Sequence, residues 1–453
     1  MLTRRELLAA VATVPLARRW PLLIERPRPT PAQLQWQRDE WAMFIHFGVN
    51  TFTDREWGDG TEDPRIFNPL QFDAAQWART AKQAGFKAMI LTAKHHDGFC
   101  LWPTETTTHS VIRAPYRFGQ ADIVGEFVQA CRAEGLRSGL YLSPWDRNAI
   151  AYGDSPRYND FYVAQLTELL TRYGPLAEVW FDGANGEGPN GRRQQYDWPR
   201  FFGTVKRLQP DAVIFSDAGP DVRWIGNERG SAGDPNWSMV DPAVVPFPGA
   251  EGDAVIEMLQ HGSRIGTVWR PGETDVSIRP GWFYHPAEDA KVKSLEQLLQ
   301  IHFASVGRNS KLLLNVPPGP NGLIADADRQ RLNEFRAAVD QIFRVDLANG
   351  TRPKWRSVGR ERAAEVDLGR PMTIGIAALE EAIDSGQTIA RYRLEGESRE
   401  GWQLLSRGET IGYRKLDRFN PVAVRRVRLV IEESLDTPRI DAIRLYAPSD
   451  VPF

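Results

Sequence analysis

Only two of the 453 residues are cysteine, Cys100 and Cys131. Two thiols could pair but are too few for a disulfide framework, and both read as buried thiols. No lysine- or arginine-rich run stands out, the formal net charge is -2 and the pI is about 6.4. That balance leaves no electrostatic footprint for nucleic acid or an anionic membrane as partner. The dipeptide Gly-Lys is absent, which removes the phosphate-binding loop of NTPases. No segment is long and apolar enough to give a membrane span.

The N-terminus is informative. Met1-Leu2-Thr3-Arg4-Arg5-Glu6-Leu7-Leu8 carries a twin arginine, and residues 7–17 form a short alanine-rich apolar run. The run is too short to cross a bilayer and suits a signal peptide. Thr-Arg-Arg before Leu-Leu resembles a bacterial twin-arginine signal, which implies export to the periplasm. The plain alternative is a disordered basic tail. Proline-rich residues 21–31 read as an extended leader, so residues 1–30 are assigned to signal and leader.

Apolar and amphipathic runs then alternate. Strands are expected at 43–48, 87–94, 137–143, 178–181, 212–216, 265–269 and 311–316, and helices at 72–84, 123–134, 158–173, 198–208 and 295–306. Gly85, Gly135 and Gly174 stand where helices should stop. Repeated strand–helix units predict an α/β fold, a (β/α)8-like barrel over residues 31–345. Seven strands are readable and the eighth is not. From 346 to 453 the runs become short and alternating, as in Val424-Arg425-Arg426-Val427-Arg428-Leu429-Val430-Ile431, with no helical stretches between. That predicts a C-terminal antiparallel β-sandwich.

His46, His95, His96, Tyr141, Trp180 and Asp182 all fall at or near C-terminal strand ends, the rim that holds the active site in such barrels. An isolated strand-end Asp more often caps a turn; clustering on one rim favours a site. Three chemistries could use these residues. Metal hydrolysis could draw on His46, His95, His96 and Asp97, but no HExxH or Cys/His spacing occurs, and adjacent histidines on a strand end should point apart. Phosphoryl transfer lacks its loop. Glycoside cleavage by two carboxylates needs no metal or cofactor. It employs the histidines as hydrogen-bonding groups for sugar hydroxyls, with some of the fifteen tryptophans as a floor for the ring.

Four stretches carry a resemblance: Met43-Phe44-Ile45-His46-Phe47-Gly48, Arg55-Glu56-Trp57, Thr92-Ala93-Lys94-His95-His96-Asp97-Gly98-Phe99 and Trp180-Phe181-Asp182-Gly183. Their order and spacing, across residues 35–320, resemble the α-L-fucosidases of glycoside hydrolase family 29. The resemblance implies a retaining double displacement on a fucosylated oligosaccharide or glycoconjugate. It puts the nucleophile on Asp182, fucose-binding histidines on His46, His95 and His96, and further pocket residues on Glu56, Tyr141 and Trp180.

The acid/base has two candidates, Glu228 and Glu273, both read as loop residues after strands. Trp224-Ile225-Gly226-Asn227-Glu228 resembles the branch of the family acting on α-1,3/1,4-fucosyl linkages, which implies Glu228 as acid/base. Glu273 and Asp275 then contact the aglycone, and Trp282 lines the pocket. A salt bridge to Arg229 or Arg270 is the structural alternative for either Glu. For the C-terminal domain, a structural prop is favoured over sugar binding, since Trp402 and Tyr413 form no aromatic cluster.

Overall fold

The computed structural model describes residues 26–449 and 451. Residues 1–25, where the export signal is expected, lie outside the described residues. Eight parallel strands close a barrel in sequence order: β1 Trp41–Ile45, β2 Ala88–Lys94, β3 Arg137–Leu142, β4 Glu178–Trp180, β5 Val213–Ser216, β6 Val222–Trp224, β7 Gly272–Ser277 and β8 Ser310–Asn315. Strand β8 pairs back to β1. Helices Ala74–Gln83, Ile123–Ala133, Ser155–Arg172, Trp198–Leu208, Leu295–Ala304 and Asp326–Ile342 pack around it. Asp73, Asp122, Asp197 and Ser294 each accept from a first-turn amide, which sets where four of these helices begin.

Residues 265–269 are not a barrel strand, contrary to expectation. Val268–Trp269 pairs antiparallel with Met239–Val240 in a separate two-stranded sheet. The barrel takes β6 and β7 instead. Strand β6 has three residues, too few to show a period. Strand β7 reads Gly-Glu-Thr-Asp-Val-Ser, yet every residue in it is buried. No helix separates β5 from β6; residues 217–221 join them directly, and residues 225–271 make the long excursion to β7.

Residues 26–30, within the expected leader, have no regular secondary structure. Arg26 already donates to the carbonyl of Gln387 at 2.8 Å. Helix Pro31–Asp39 starts with a capping box between Thr30 and Gln33. It sends Trp36 into the barrel's interior cluster beside Ala42, Ile90, Val213 and Leu313. The Trp36 indole donates to Glu178 at 2.8 Å, and Lys311 Nζ donates to the same oxygen at 3.0 Å.

The C-terminal part is a six-stranded antiparallel sheet, Lys354–Val358 through Ile440–Tyr446, with its own core that includes Ile374, Tyr392 and Leu429. It is fastened to the barrel by Arg414–Glu40 at 2.6 Å and Lys415–Asp234 at 2.6 Å. Guanidinium groups lie over its aromatic rings: Arg428 is 4.0 Å from the centre of Trp402 and Arg362 is 4.5 Å from that of Trp355. Both cysteines are free and buried, as expected.

Candidate active site

Strand β4 ends at Trp180, and the chain then turns so that Asp182 faces a cavity of about 200 Å³. The Ala184 amide donates to Asp182 Oδ1 at 2.5 Å, and Tyr141 Oη donates to Oδ2 at 3.4 Å. Desolvation in the recess raises the carboxyl above the usual aspartate range, while these two donors pull it back. Trp180 forms part of the wall, stacked on Phe215 with centroids 4.0 Å apart.

Three imidazoles line the opposite wall. Asn315 donates to Ser277 Oγ and to the Trp282 carbonyl, which leaves its own oxygen to accept from His46 Nδ1 at 2.8 Å. Ser143 Oγ donates to the Trp145 carbonyl and so accepts from His96 Nδ1 at 2.7 Å. Burial holds both rings neutral, down to about 3, and His95 lies well below its ordinary value for the same reason. In His46 and His96 the second nitrogen, Nε2, is therefore a lone-pair acceptor suited to a hydroxyl donor. His96 Nε2 is 3.8 Å from Asp182 Oδ2.

The expectation that His95 and His96 point apart is not met: their ring centroids are 4.1 Å apart. Strand β2 has ended at Lys94, so strand alternation no longer applies. Lys94 is buried against Asp146 and Gln165, each at 2.9 Å, Asp97 accepts from the Phe99 amide, and Gly98 takes a left-handed φ of 81°. This compact turn brings both rings to the cavity. Among the described residues no group of three or more His, Cys, Asp or Glu could hold a metal ion.

Glu228, Asp275 and Trp282 complete the wall, with Phe44 and the largely exposed Trp57. Trp282 Nε1 donates to Glu228 at 3.3 Å. Desolvation by the wall raises the Glu228 carboxyl, and the charges of Asp182 and Glu56 add to this. Asp275 is buried on β7 and accepts from Trp224 Nε1 at 2.9 Å; burial lifts it well above the carboxylate range. Next door, Asp182, Asp217, Trp224, Glu228 and Asp275 share a second cavity of about 120 Å³. Burial and the Asp182 charge push Asp217 up to about 7.

Two expected site residues stand behind the wall. Glu56 is not among the lining residues; it accepts from the amides of Trp282 and Phe283 and from His285, holding the Trp282 loop in place. Glu273 is not a loop residue. It sits fully buried on β7, where it accepts from Trp180 Nε1 at 3.0 Å and lies 3.4 Å from Lys311 Nζ. No aglycone reaches it there, and its cation is Lys311 rather than Arg270. Another cavity, about 570 Å³, lies on the C-terminal sheet between Pro371, Glu397, Arg399 and Arg425, with no histidine in its lining.

The pocket thus gathers three carboxyls, Asp182, Glu228 and Asp275, and three neutral imidazoles. The α-L-fucosidase family model matches residues 25–338. The chain is an α-L-fucosidase family member, of glycoside hydrolase family 29. It is 42% identical to α-L-fucosidase 1 of Arabidopsis thaliana, over 93% of this chain and 87% of the plant protein. A glycoside hydrolase 29 family member from a rumen bacterium superposes with a TM-score of 0.87 at 41% identity, covering 94% and 78% of the two chains. A Ruminococcus gnavus GH29 fucosidase, solved in complex with fucose, gives a TM-score of 0.84 at 33% identity, covering 94% and 95%.

In this fucosidase fold, sequence reasoning missed Trp57, Phe44, Asp217 and Trp224 as wall residues. Trp57 had a signal, since it adjoins Glu56 in a quoted motif. Asp217 had none: it opens the five-residue link between β5 and β6, which no periodicity marks.

Proposed function

We propose that the protein is a retaining exo-α-L-fucosidase that releases terminal L-fucose from α-1,3/1,4-linked branched glycans. The observation that carries this reading is the shared cavity of Asp182 and Glu228, two carboxyls in different surroundings. Asp182 Oδ1 is held by the Ala184 amide, which leaves Oδ2 to react. Asp182 attacks the anomeric carbon while Glu228 gives its proton to the departing oxygen. The Glu228 carboxylate then takes a proton from water, the water oxygen bonds to the same carbon, and Asp182 leaves. Retaining pairs act across about 5–5.5 Å. Desolvation raises both carboxyls; Asp182 is supported in its ionised form by the Ala184 amide and Tyr141, whereas Glu228 has one indole donor and the charges of Asp182 and Glu56 favouring its proton.

The cavity is smaller than the roughly 300–1,000 Å³ of drug-sized sites, which suits one sugar ring. His46 and His96 offer Nε2 to its hydroxyls, and Trp57 and Trp282 offer apolar faces. The fucose complex of the Ruminococcus gnavus relative supports a fucosylated substrate. The Glu228 segment supports the branch assignment, and the twin arginine supports export to the periplasm. The C-terminal sheet serves as a prop, its aromatic rings overlain by arginines.

A linkage panel tests this reading: nitrophenyl fucoside, 2′-fucosyllactose, and the Lewis a and Lewis x trisaccharides. The branched trisaccharides are cleaved far faster than the others. Strong turnover of the aryl fucoside or the α-1,2 linkage overturns the branch assignment. Loss of activity on chelation overturns the two-carboxylate mechanism.

A further inference from the structure

The loop after Asp182 is held by a chain of hydroxyl groups that none of the reacting atoms touches. Tyr152 is fully buried, and its Oη lies 2.7 Å from Tyr196 Oη. Tyr196 Oη in turn donates to the carbonyl of Ala184 at 2.9 Å. Each phenol has one proton; Tyr196 commits its own to Ala184 and can accept from Tyr152, whose Oη also lies 3.2 Å from both Asn185 Oδ1 and the Gly186 carbonyl. Ala184 is the residue whose amide donates to Asp182 Oδ1. Its carbonyl and its amide are thus both spoken for, one by the relay and one by the nucleophile.

We propose that Tyr196 is a positioning residue: through Ala184 it fixes the amide that holds Asp182 Oδ1 and so aims Oδ2 at the sugar. The inference rests on the reading of Asp182 as nucleophile. Among the described residues Tyr196 is the side chain that donates to the Ala184 carbonyl. Asn185 is bonded to residue 194 and to Tyr152 Oη, Gly186 offers its carbonyl to Tyr152 Oη, and Trp145 Nε1 donates to the Glu187 carbonyl, all further along the loop. Tyr196 is not a wall residue of either cavity, so it meets no substrate.

The other titratable groups that face Asp182 are His96 after β2, Tyr141 on β3, Asp217 after β5 and Glu228 after β6, with the buried phenols Tyr162 and Tyr196 behind them. None is a cation at neutral pH, since His96 is held neutral by burial. The Ala184 amide is therefore a principal support for the ionised carboxylate. Slackening it disfavours that form and moves the acid limb of kcat/KM to higher pH.

Tyr196→Phe keeps the ring against Trp198, with centroids 5.1 Å apart, and removes the donor. The expected result is a kcat about fivefold lower, with KM nearly unchanged. The acid limb moves up by about half a pH unit. Tyr152→Phe cuts the relay one residue back and moves the limb the same way by less. If Tyr196→Phe does not fold, the Tyr152→Phe shift alone decides. A lowered melting temperature with an unmoved acid limb in Tyr196→Phe overturns the proposal. Asp182→Gly separates the two readings. If that variant retains full turnover, the nucleophile assignment itself fails; if it is dead while the Tyr196→Phe limb stays put, only the positioning role fails.

Discussion

Trp180 Nε1 donates to Glu273 Oε1 at 3.0 Å, which ties a wall residue of the fucosidase pocket to the charges buried inside the barrel. Behind Glu273 stand Lys311 and Glu178, so two carboxyls meet one lysine out of contact with solvent. One oxygen on each carboxyl, Glu273 Oε2 and Glu178 Oε1, makes no hydrogen bond, although Glu273 Oε2 lies 3.4 Å from Lys311 Nζ. Burial and the neighbouring Glu178 raise Glu273 well above the carboxylate range, so the cluster favours keeping a proton on its carboxyls.

Glu273→Gln keeps the acceptor for Trp180 and stays neutral. Its kcat/KM is expected within about threefold of the parent, because the isosteric amide keeps that hydrogen bond. Glu273→Ala leaves the indole unpaired beside a cavity and lowers both activity and melting temperature. Loss of activity in Glu273→Gln that azide restores would transfer the acid/base role to Glu273.

Glu228→Gln removes the proton donor. With a branched trisaccharide, kcat falls by about 10²–10⁴, the usual contribution of general acid–base catalysis. An aryl fucoside with a good leaving group loses less in its first step, and azide restores turnover as a fucosyl azide of retained configuration. Chiral analysis of that product checks the retaining mechanism.

The pH profile of kcat/KM is expected to be bell-shaped. Asp182 must be ionised, so activity falls as pH drops through its desolvation-raised pKa. Glu228 must be protonated, so activity falls as pH rises through its own raised value. The alkaline limb is expected to vanish in Glu228→Gln while the acid limb stays, which rate measurements with the aryl substrate resolve.

Trp57 is 59% exposed at the pocket, with its ring 6.4 Å from that of His96. Trp57→Ala should raise KM by roughly two- to tenfold through loss of an aromatic face, with little effect on melting temperature. An unchanged KM would place the ring outside the substrate's reach.

Trp36 lies at the other end of the barrel and is 1% exposed. Trp36→Ala opens a cavity in the barrel interior and removes a donor from Glu178. The cost is about 3–5 kcal/mol in equilibrium denaturation. A change below about 1 kcal/mol would show that helix Pro31–Asp39 is not part of the cooperative unit.

Much of this molecule was legible without coordinates. Apolar runs ending in His46, Lys94, Tyr141 and Trp180 announced strands because a buried parallel strand needs apolar side chains on both faces. Glycines after helices announced their ends, and the order of the four quoted motifs pointed to the family and to Asp182. What local sequence cannot carry is a partner supplied from elsewhere. Glu273 and Asp275 made β7 look like a loop, because Lys311, Trp180 and Trp224, the residues that make their burial tolerable, arrive from other strands. His95 and His96 converge because a turn locked by Asp146 and Gln165 replaces strand geometry. Glu56 left the pocket because its donors belong to the loop of Trp282, over two hundred residues on. Residue types and their order determined the fold class and the nucleophile candidate; which carboxyls face the sugar and which stay buried was decided by long-range packing.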